Sequence, residues 1–321
     1  MQTVALPAEP SLRLSRVGLG CWTLSGRYWG PDQDDARAIR TIHAALEAGI
    51  NWVDTAPLYG DGHGDALVKQ ALAGRSGVIV ATKVGVRRDG PHAHSDLRAE
   101  HLRADAEDSL RRLGRETLDL LQVHWPCERG TPLDETVGAL EGLRDRGLIR
   151  AWGLCNYDAA GVLAASAVGR PATLQTPLSL LRREAEATLL PAAAGLEPPP
   201  AVLAYETLAR GILSGRWQRP PELGGDDLRQ RDPRYRGAPF WAARDLLDEL
   251  AQVAAKVGAT VPALSVGWAL QRPGVSAVIV GARSPAQITE TAAAVQLLGR
   301  PRLWRVVDAI AAAHGGPPRP A

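Results

Sequence analysis

Val78-Ile79-Val80-Ala81-Thr82-Lys83-Val84 is a run of β-branched and small apolar residues that holds one charge. Its length and composition read as a strand buried on both faces, the look of a strand in a parallel sheet. An ammonium in such a place needs a partner, because an unpaired buried charge is strongly destabilising. Asp54 is the natural candidate, at the end of Ile50-Asn51-Trp52-Val53-Asp54. Further β-rich runs lie at 17–21, 118–124, 149–154, 173–176, 201–205 and 277–280, with helical periods at 35–47, 65–72, 96–113, 133–146, 159–168, 242–257 and 263–271. Pro262 fits a first helical turn, and Gly49, Gly114 and Gly147 fit helix stops. Eight strands alternating with helices predict an α/β fold, a (β/α)8 TIM barrel whose chemistry sits at the C-terminal ends of the strands. Residues 2–6 and 11–14, flanking Pro7-Ala8-Glu9-Pro10, predict an N-terminal hairpin within 1–16 that closes the barrel bottom. The Pro/Gly/Asp-rich stretch 216–241 follows the seventh strand and reads as a lid within one domain spanning 1–321.

The composition of the 321-residue chain, 45% hydrophobic and 22% charged, fits a protein with a large core. With 37 basic and 35 acidic residues the net charge is +2, which argues against a general nucleic-acid or polyanion surface. Lys69, Lys83 and Lys256 are the only lysines. Cys21, Cys127 and Cys155 lack metal-ligand spacing and are expected as free thiols. No leader pattern or bilayer-length apolar run is recognisable, so no membrane association and a cytoplasmic location are expected.

At the expected strand ends stand Asp54, Lys83, His124, Asn156, Gln175 and Tyr205, and Tyr59 follows Asp54 by a short turn. Four spaced stretches around these residues resemble the aldo-keto reductases. Asn51-Trp52-Val53-Asp54-Thr55-Ala56-Pro57-Leu58-Tyr59-Gly60 is similar to that family's Asp-Thr-Ala-x-x-Tyr-Gly signature. Glu107-Asp108-Ser109-Leu110-Arg111-Arg112-Leu113, followed by Leu120-Leu121-Gln122-Val123-His124-Trp125-Pro126, resembles its central block, and Ala81-Thr82-Lys83 supplies its lysine. Gly211-Ile212-Leu213-Ser214-Gly215, Gly225-Asp226-Asp227-Leu228-Arg229 and Asp232-Pro233 look like the bacterial NADPH-dependent enzymes of the IolS type.

The resemblance implies reversible reduction of aldehydes or ketones by hydride transfer from NADPH, with small-molecule carbonyl compounds as substrates. It makes Tyr59 the proton donor, and Asp54, Lys83 and His124 the rest of a catalytic tetrad. The chemistry suits these residue types. A phenol of ordinary pKa, about 10, is a weak acid at neutral pH. A lysine charge at about 4 Å, with an effective dielectric of about 20, favours the phenolate by roughly 4 kcal/mol. Asp54 keeps Lys83 charged, and His124 donates a hydrogen bond to the substrate oxygen.

By the same resemblance Asn156 and Gln175 bind the nicotinamide carboxamide, with Cys155 beside them where the family usually has Ser, and Tyr205 stacks on the ring. Leu208, Gly211, Leu213 and Gly215 match the loop over the pyrophosphate, which here begins with Glu206-Thr207 in place of Ser-Pro. Gly281, Arg283, Ser284, Gln287 and Glu290 match the segment at the adenosine end, where Thr291 replaces a frequent Asn. Arg283 and the helix start at Ser284 suit a 2′-phosphate, hence NADPH over NADH. Trp22 and Trp125 are expected to line the substrate pocket, with Trp29 and Trp241 as further candidates.

Gly60-Asp61-Gly62-His63-Gly64-Asp65 imitates a dinucleotide fingerprint but has Asp65 where the last glycine belongs, and it begins well past the strand tip. Gly64-Asp65 stands where the family more often has Ser-Glu. His92-Ala93-His94 has no third ligand in a clear pattern, so no metal is expected. Two rival readings are a Schiff-base aldolase using Lys83 and a nucleotide-sensing regulatory subunit, because potassium channel β subunits share the resemblance. Oligomeric state is left open.

Overall fold

The computed structural model describes residues 1–30, 32–89 and 92–314. Thr3–Leu6 (β1) and Glu9–Ser15 (β2) pair antiparallel as the expected hairpin. The barrel strands are Val17–Gly20 (β3), Trp52–Asp54 (β4), Ile79–Val84 (β5), Leu118–Val123 (β8), Ile149–Cys155 (β9), Thr173–Pro177 (β10), Ala201–Tyr205 (β11) and Val275–Gly281 (β12). They close into a parallel barrel in the order β3-β4-β5-β8-β9-β10-β11-β12. Val86–Asp89 (β6) and His92–Ser95 (β7) form an antiparallel hairpin on the loop after β5. That hairpin was not anticipated. It carries His92 outward into solvent and leaves the His94 Nδ1 3.4 Å from the Asp89 carboxylate.

The helices are Asp35–Glu47 (α1), His63–Ala71 (α2), Ala99–Leu113 (α3), Leu133–Asp145 (α4), Ala159–Val168 (α5), Glu184–Ala187 (α6), Leu189–Ala194 (α7), Gly237–Lys256 (α8), Val261–Leu270 (α9), Pro285–Ala292 (α10) and Pro301–Ala313 (α11). Local chemistry explains their ends. Asp34 and Asp158 cap α1 and α5 by accepting from Arg37 and Gly161 amides, Thr260 caps α9, and Gly114 ends α3 in the left-handed region at φ 65°. The 216–241 stretch is not irregular throughout. It holds two helical turns, Leu228–Arg231 and Pro233–Tyr235, and α8 begins at Gly237 rather than at 242.

Strand alternation sorts side chains into two cores. Val80 and Val84 of β5 and Leu121 and Val123 of β8 belong to the outer cluster packed under the helices. Trp52, Ile79, Ala81, Leu120, Leu203 and Ile279 point inward and share a second cluster with Leu6, Leu12 and Leu14 of the hairpin. The barrel bottom is therefore stoppered by three leucines that are wholly buried. Trp52 fits inside because Gly18 lies opposite: a Cβ there would come within 2.2 Å of its ring. No single helix among the described residues is long and apolar enough to cross a membrane.

Candidate active site

The alternation that buries Ile79 and Ala81 inside the barrel also places Lys83 there, one step nearer the upper rim. Its ammonium donates to Asp54 Oδ1 at 2.5 Å and to the carbonyl of Thr55 at 3.0 Å, and both charged side chains are almost fully buried. The other carboxylate oxygen accepts from Gln175 Nε2 at 2.6 Å and from Gln122 Nε2 at 3.4 Å. Gln122 in turn accepts from Thr173 Oγ1 at 3.1 Å. A polar layer thus crosses the top of the barrel, with Asp54 at its centre.

Tyr59 sits over this layer, with Lys83 Nζ 4.9 Å from its ring centroid. Trp22 stacks on one side of it at 5.8 Å and His124 meets it edge-on at 6.0 Å. Trp125 stacks on His124 at 4.3 Å, and Trp29 packs edge-on against Trp22 at 5.2 Å. Trp241 does not join them; it is exposed on α8. A cavity of about 300 Å³ adjoins Lys83 and His124, walled by Leu58, Val86, Arg87 and Arg88.

Burial, the largest single influence, lowers the Lys83 pKa, but Asp54, by charge and hydrogen bond, together with Tyr59 and Cys155 outweighs it and holds the ammonium above its ordinary value. For Tyr59 the balance runs the other way from the sequence expectation. Burial pushes the phenol up, and the Lys83 charge offsets only part of that. His124 is driven well below its ordinary pKa, first by burial and then by the Lys83 charge, so its ring is neutral and keeps one N–H donor. Burial also pushes the Cys155 thiol up, which keeps it an uncharged neighbour.

The amides expected to meet a carboxamide are engaged within the protein. Gln175 points at Asp54. Asn156, in the left-handed region at φ 64°, donates to the His124 carbonyl at 2.9 Å and accepts from the Tyr205 hydroxyl at 2.6 Å. Leu208, Gly211, Leu213 and Gly215 lie on one tight segment after β11, with Glu206, Ala209 and Arg210 at positive φ as well as both glycines. Thr207 Oγ1 in that segment, and Trp29 Nε1, are buried with no hydrogen-bond partner among the described residues.

Gly281 ends β12, and Ser284 caps α10 by accepting from Gln287 N. Arg283 donates to the carbonyls of Trp29, at 2.9 Å, and Asp32, while its own amide donates to Gln287 Oε1. Glu290 lies half-buried farther along α10. Arg37, Arg216 and Arg229 are close enough to act on Arg283 or Asp32 electrostatically. Arg229 is itself buried, paired with Asp227 and set over the rings of Trp29, Trp217 and Tyr235. The 216–241 stretch is tied to the first loop by Tyr28 N to Asp226 Oδ2 at 2.9 Å and Leu228 N to Tyr28 O at 3.0 Å.

Gln122, Arg229 and Arg216 are additions to the residues anticipated from sequence. Parity finds Gln122, two positions before His124 on one strand. Arg229 ends the Gly225-Asp226-Asp227-Leu228-Arg229 stretch that carries part of the resemblance, with no role read for it, and no local pattern marks Arg216.

The aldo/keto reductase family model matches residues 16–311. Aldo-keto reductase YhdN of Bacillus subtilis (strain 168) is 36% identical over 287 residues, covering 88% of this chain and 85% of that protein. The NADH-specific methylglyoxal reductase of Escherichia coli (strain K12) is 32% identical over 301 residues, covering 89% and 91%. The glycerol dehydrogenase AKR11B4 of Gluconobacter oxydans superposes with a TM-score of 0.88 at 38% identity, over 98% of this chain and 97% of the other. The holo form of AKR11C1 from Bacillus halodurans gives 0.78 at 28% identity, over 97% and 96%. Sequence and barrel agree along nearly the whole chain, which therefore belongs to the aldo-keto reductases, oxidoreductases that use nicotinamide cofactors on small carbonyl compounds.

Proposed function

We propose that this protein reversibly reduces aldehydes or ketones to alcohols with NADPH, and that Tyr59 delivers the proton. The observation that carries the reading is the buried Asp54–Lys83 pair beneath the Tyr59 ring with neutral His124 at its edge. A bound reduced nicotinamide supplies the hydride. The chain's own residues handle the oxygen. The His124 N–H holds the carbonyl oxygen and stabilises the negative charge that grows there. The Tyr59 O–H bond breaks as its proton passes to that oxygen, and the phenolate left behind rests beside the Lys83 ammonium. The raised pKa of Tyr59 suits this role, because the phenol keeps its proton until a much stronger base, an alkoxide, forms. Trp22 and Trp125 wall the site with flat apolar surface.

Donor chemistry supports the cofactor. Asn156, Gln175, Cys155 and Tyr205 would hold the nicotinamide end, the segment with Leu208, Gly211, Leu213 and Gly215 the pyrophosphate, and Gly281, Arg283, Ser284, Gln287 and Glu290 the adenosine end. The unpartnered Thr207 hydroxyl and the gathered arginines fit a ligand rich in anionic acceptors. We read 216–236 as the lid over it, within one domain. Because one relative is named as NADH-specific, kcat/KM with NADPH against NADH is the direct measure of preference. A nucleophilic lysine must shed its proton, and Asp54 opposes that, so the buried pair disfavours Schiff-base chemistry at Lys83.

Tyr59→Phe tests the reading. NADPH binding, followed by tryptophan fluorescence quenching, is expected to persist while carbonyl reduction falls by about 10²- to 10⁴-fold. Undiminished turnover would remove Tyr59 from the chemistry.

A further inference from the structure

Tyr59 and Lys83 share a support that the reduction chemistry does not itself use. Asp65, in the first turn of α2, is fully buried. Its Oδ1 accepts from Thr55 Oγ1 at 2.8 Å and its Oδ2 from Arg112 Nε on α3 at 3.1 Å. Thr55 is the residue after Asp54, and each of its polar groups is committed. Its amide donates to the Ala81 carbonyl at 2.9 Å, its hydroxyl to Asp65, and its carbonyl accepts from Lys83 at 3.0 Å. The segment from Thr55 to Asp65 is thus a loop closed by one side-chain hydrogen bond, with Tyr59 within it. Gly64 completes the closure, since its amide donates to the Tyr59 carbonyl at 3.0 Å.

We infer that Asp65 is a positioning residue for the reduction: acting through Thr55, it fixes the carbonyl that seats the Lys83 ammonium and clamps the turn that presents Tyr59. The inference rests on the reading of Tyr59 and Lys83 above. It also accounts for Gly64-Asp65 as a matched pair. A Cβ at position 64 would meet the Tyr59 Cβ at 3.2 Å and both Thr55 Oγ1 and the Tyr59 carbonyl at 3.3 Å, so a side chain there requires these neighbours to give by a few tenths of an ångström. With glycine the helix comes close, and the short aspartate reaches Thr55. With a serine at 64, the longer glutamate regains the reach.

The test compares Thr55→Val, which deletes the hydroxyl at nearly constant volume, with Asp65→Ala and the double variant. Misplacement of reacting groups at this scale lowers kcat by about 10- to 100-fold. Thr55→Val and Asp65→Ala are each expected to show that loss with the KM for the carbonyl and NADPH quenching unchanged. The double variant is expected to lose no more than the worse single, because both break one link. Gly64→Ser combined with Asp65→Glu is expected to recover most of the kcat that Asp65→Glu alone loses. Losses that multiply in the double variant, or a kcat for Thr55→Val within about twofold of the parent, overturn the inference. If Asp65→Ala fails to fold, Thr55→Val decides alone. Tyr59→Phe measured in parallel separates the two readings: full activity there discards the proton-donor assignment, whereas a loss there with none in Thr55→Val discards only the role of Asp65.

Discussion

Within one barrel, two ends of the same strands do opposite work. At the lower end Trp52, Ala81, Leu120 and Leu203 face the hairpin leucines. Two residues farther along those strands stand Asp54, Lys83, Gln122 and Tyr205. One period of the pleat changes an apolar stopper into a layer of charge and amide. The lower end is held mainly by dispersion and water exclusion, with the Trp52 indole N–H also donating to the Ser15 carbonyl at 2.9 Å. The upper end carries buried charge and depends on its pairing: Lys83 has Asp54, and Asp54 has both glutamines. A barrel can therefore hold a buried ammonium ready for chemistry, provided apolar packing elsewhere carries the fold.

Breaking the upper end has the largest expected effect. Lys83→Met keeps the length of the side chain and removes its charge, which is expected to cut carbonyl reduction by about 10²- to 10⁴-fold. It also leaves Asp54 as an uncompensated buried carboxylate, at about 3–5 kcal/mol in urea unfolding. Turnover near that of the parent would show that the polar layer is structural only. Breaking the lower end separates the two roles. Leu12→Ala is expected to destabilise the fold by about 2–5 kcal/mol while kcat per folded molecule is unchanged, and a fall in kcat would mean that the ends are coupled.

The smallest effect sharpens the contrast through pH. His124 has its pKa depressed in the folded state, so the unfolded chain takes up a proton first as pH falls below the ordinary value of 6.5. That group's contribution to stability is intact above about pH 6.5 and declines below it by up to about 1.4 kcal/mol per pH unit. His124→Gln is expected to flatten the pH dependence of unfolding between about pH 6.5 and 5 relative to the parent. Parallel curves would place His124 in a wetter setting than the lower end.

The barrel was legible because its strands are short apolar runs at regular spacing, and all eight stand where the runs lie. The β6–β7 hairpin was not, since Arg87, Arg88, His92 and His94 show no apolar alternation and the hairpin borrows its place from the loop it extends. Helix α11 was not anticipated, although Leu303, Trp304, Val307 and Ala311 have the helical spacing of the face it buries. The grouping of Asp54, Tyr59, Lys83 and His124 was legible as well, because strand ends in a parallel barrel converge on one rim.

By itself, then, the sequence determined the strand order, the hydrophobic sorting into two cores and the rim on which the candidate catalytic side chains gather. These follow from periodicity, a local property. The tertiary structure alone decided the partners: that Gln175 serves Asp54, that Asn156 bridges His124 and Tyr205, that Arg283 grips the loop of Trp29, and that Asp65 reaches Thr55. Each is a side-chain hydrogen bond between residues brought together by the closed sheet. Which acceptor a buried donor takes depends on distances that exist only once the barrel has closed.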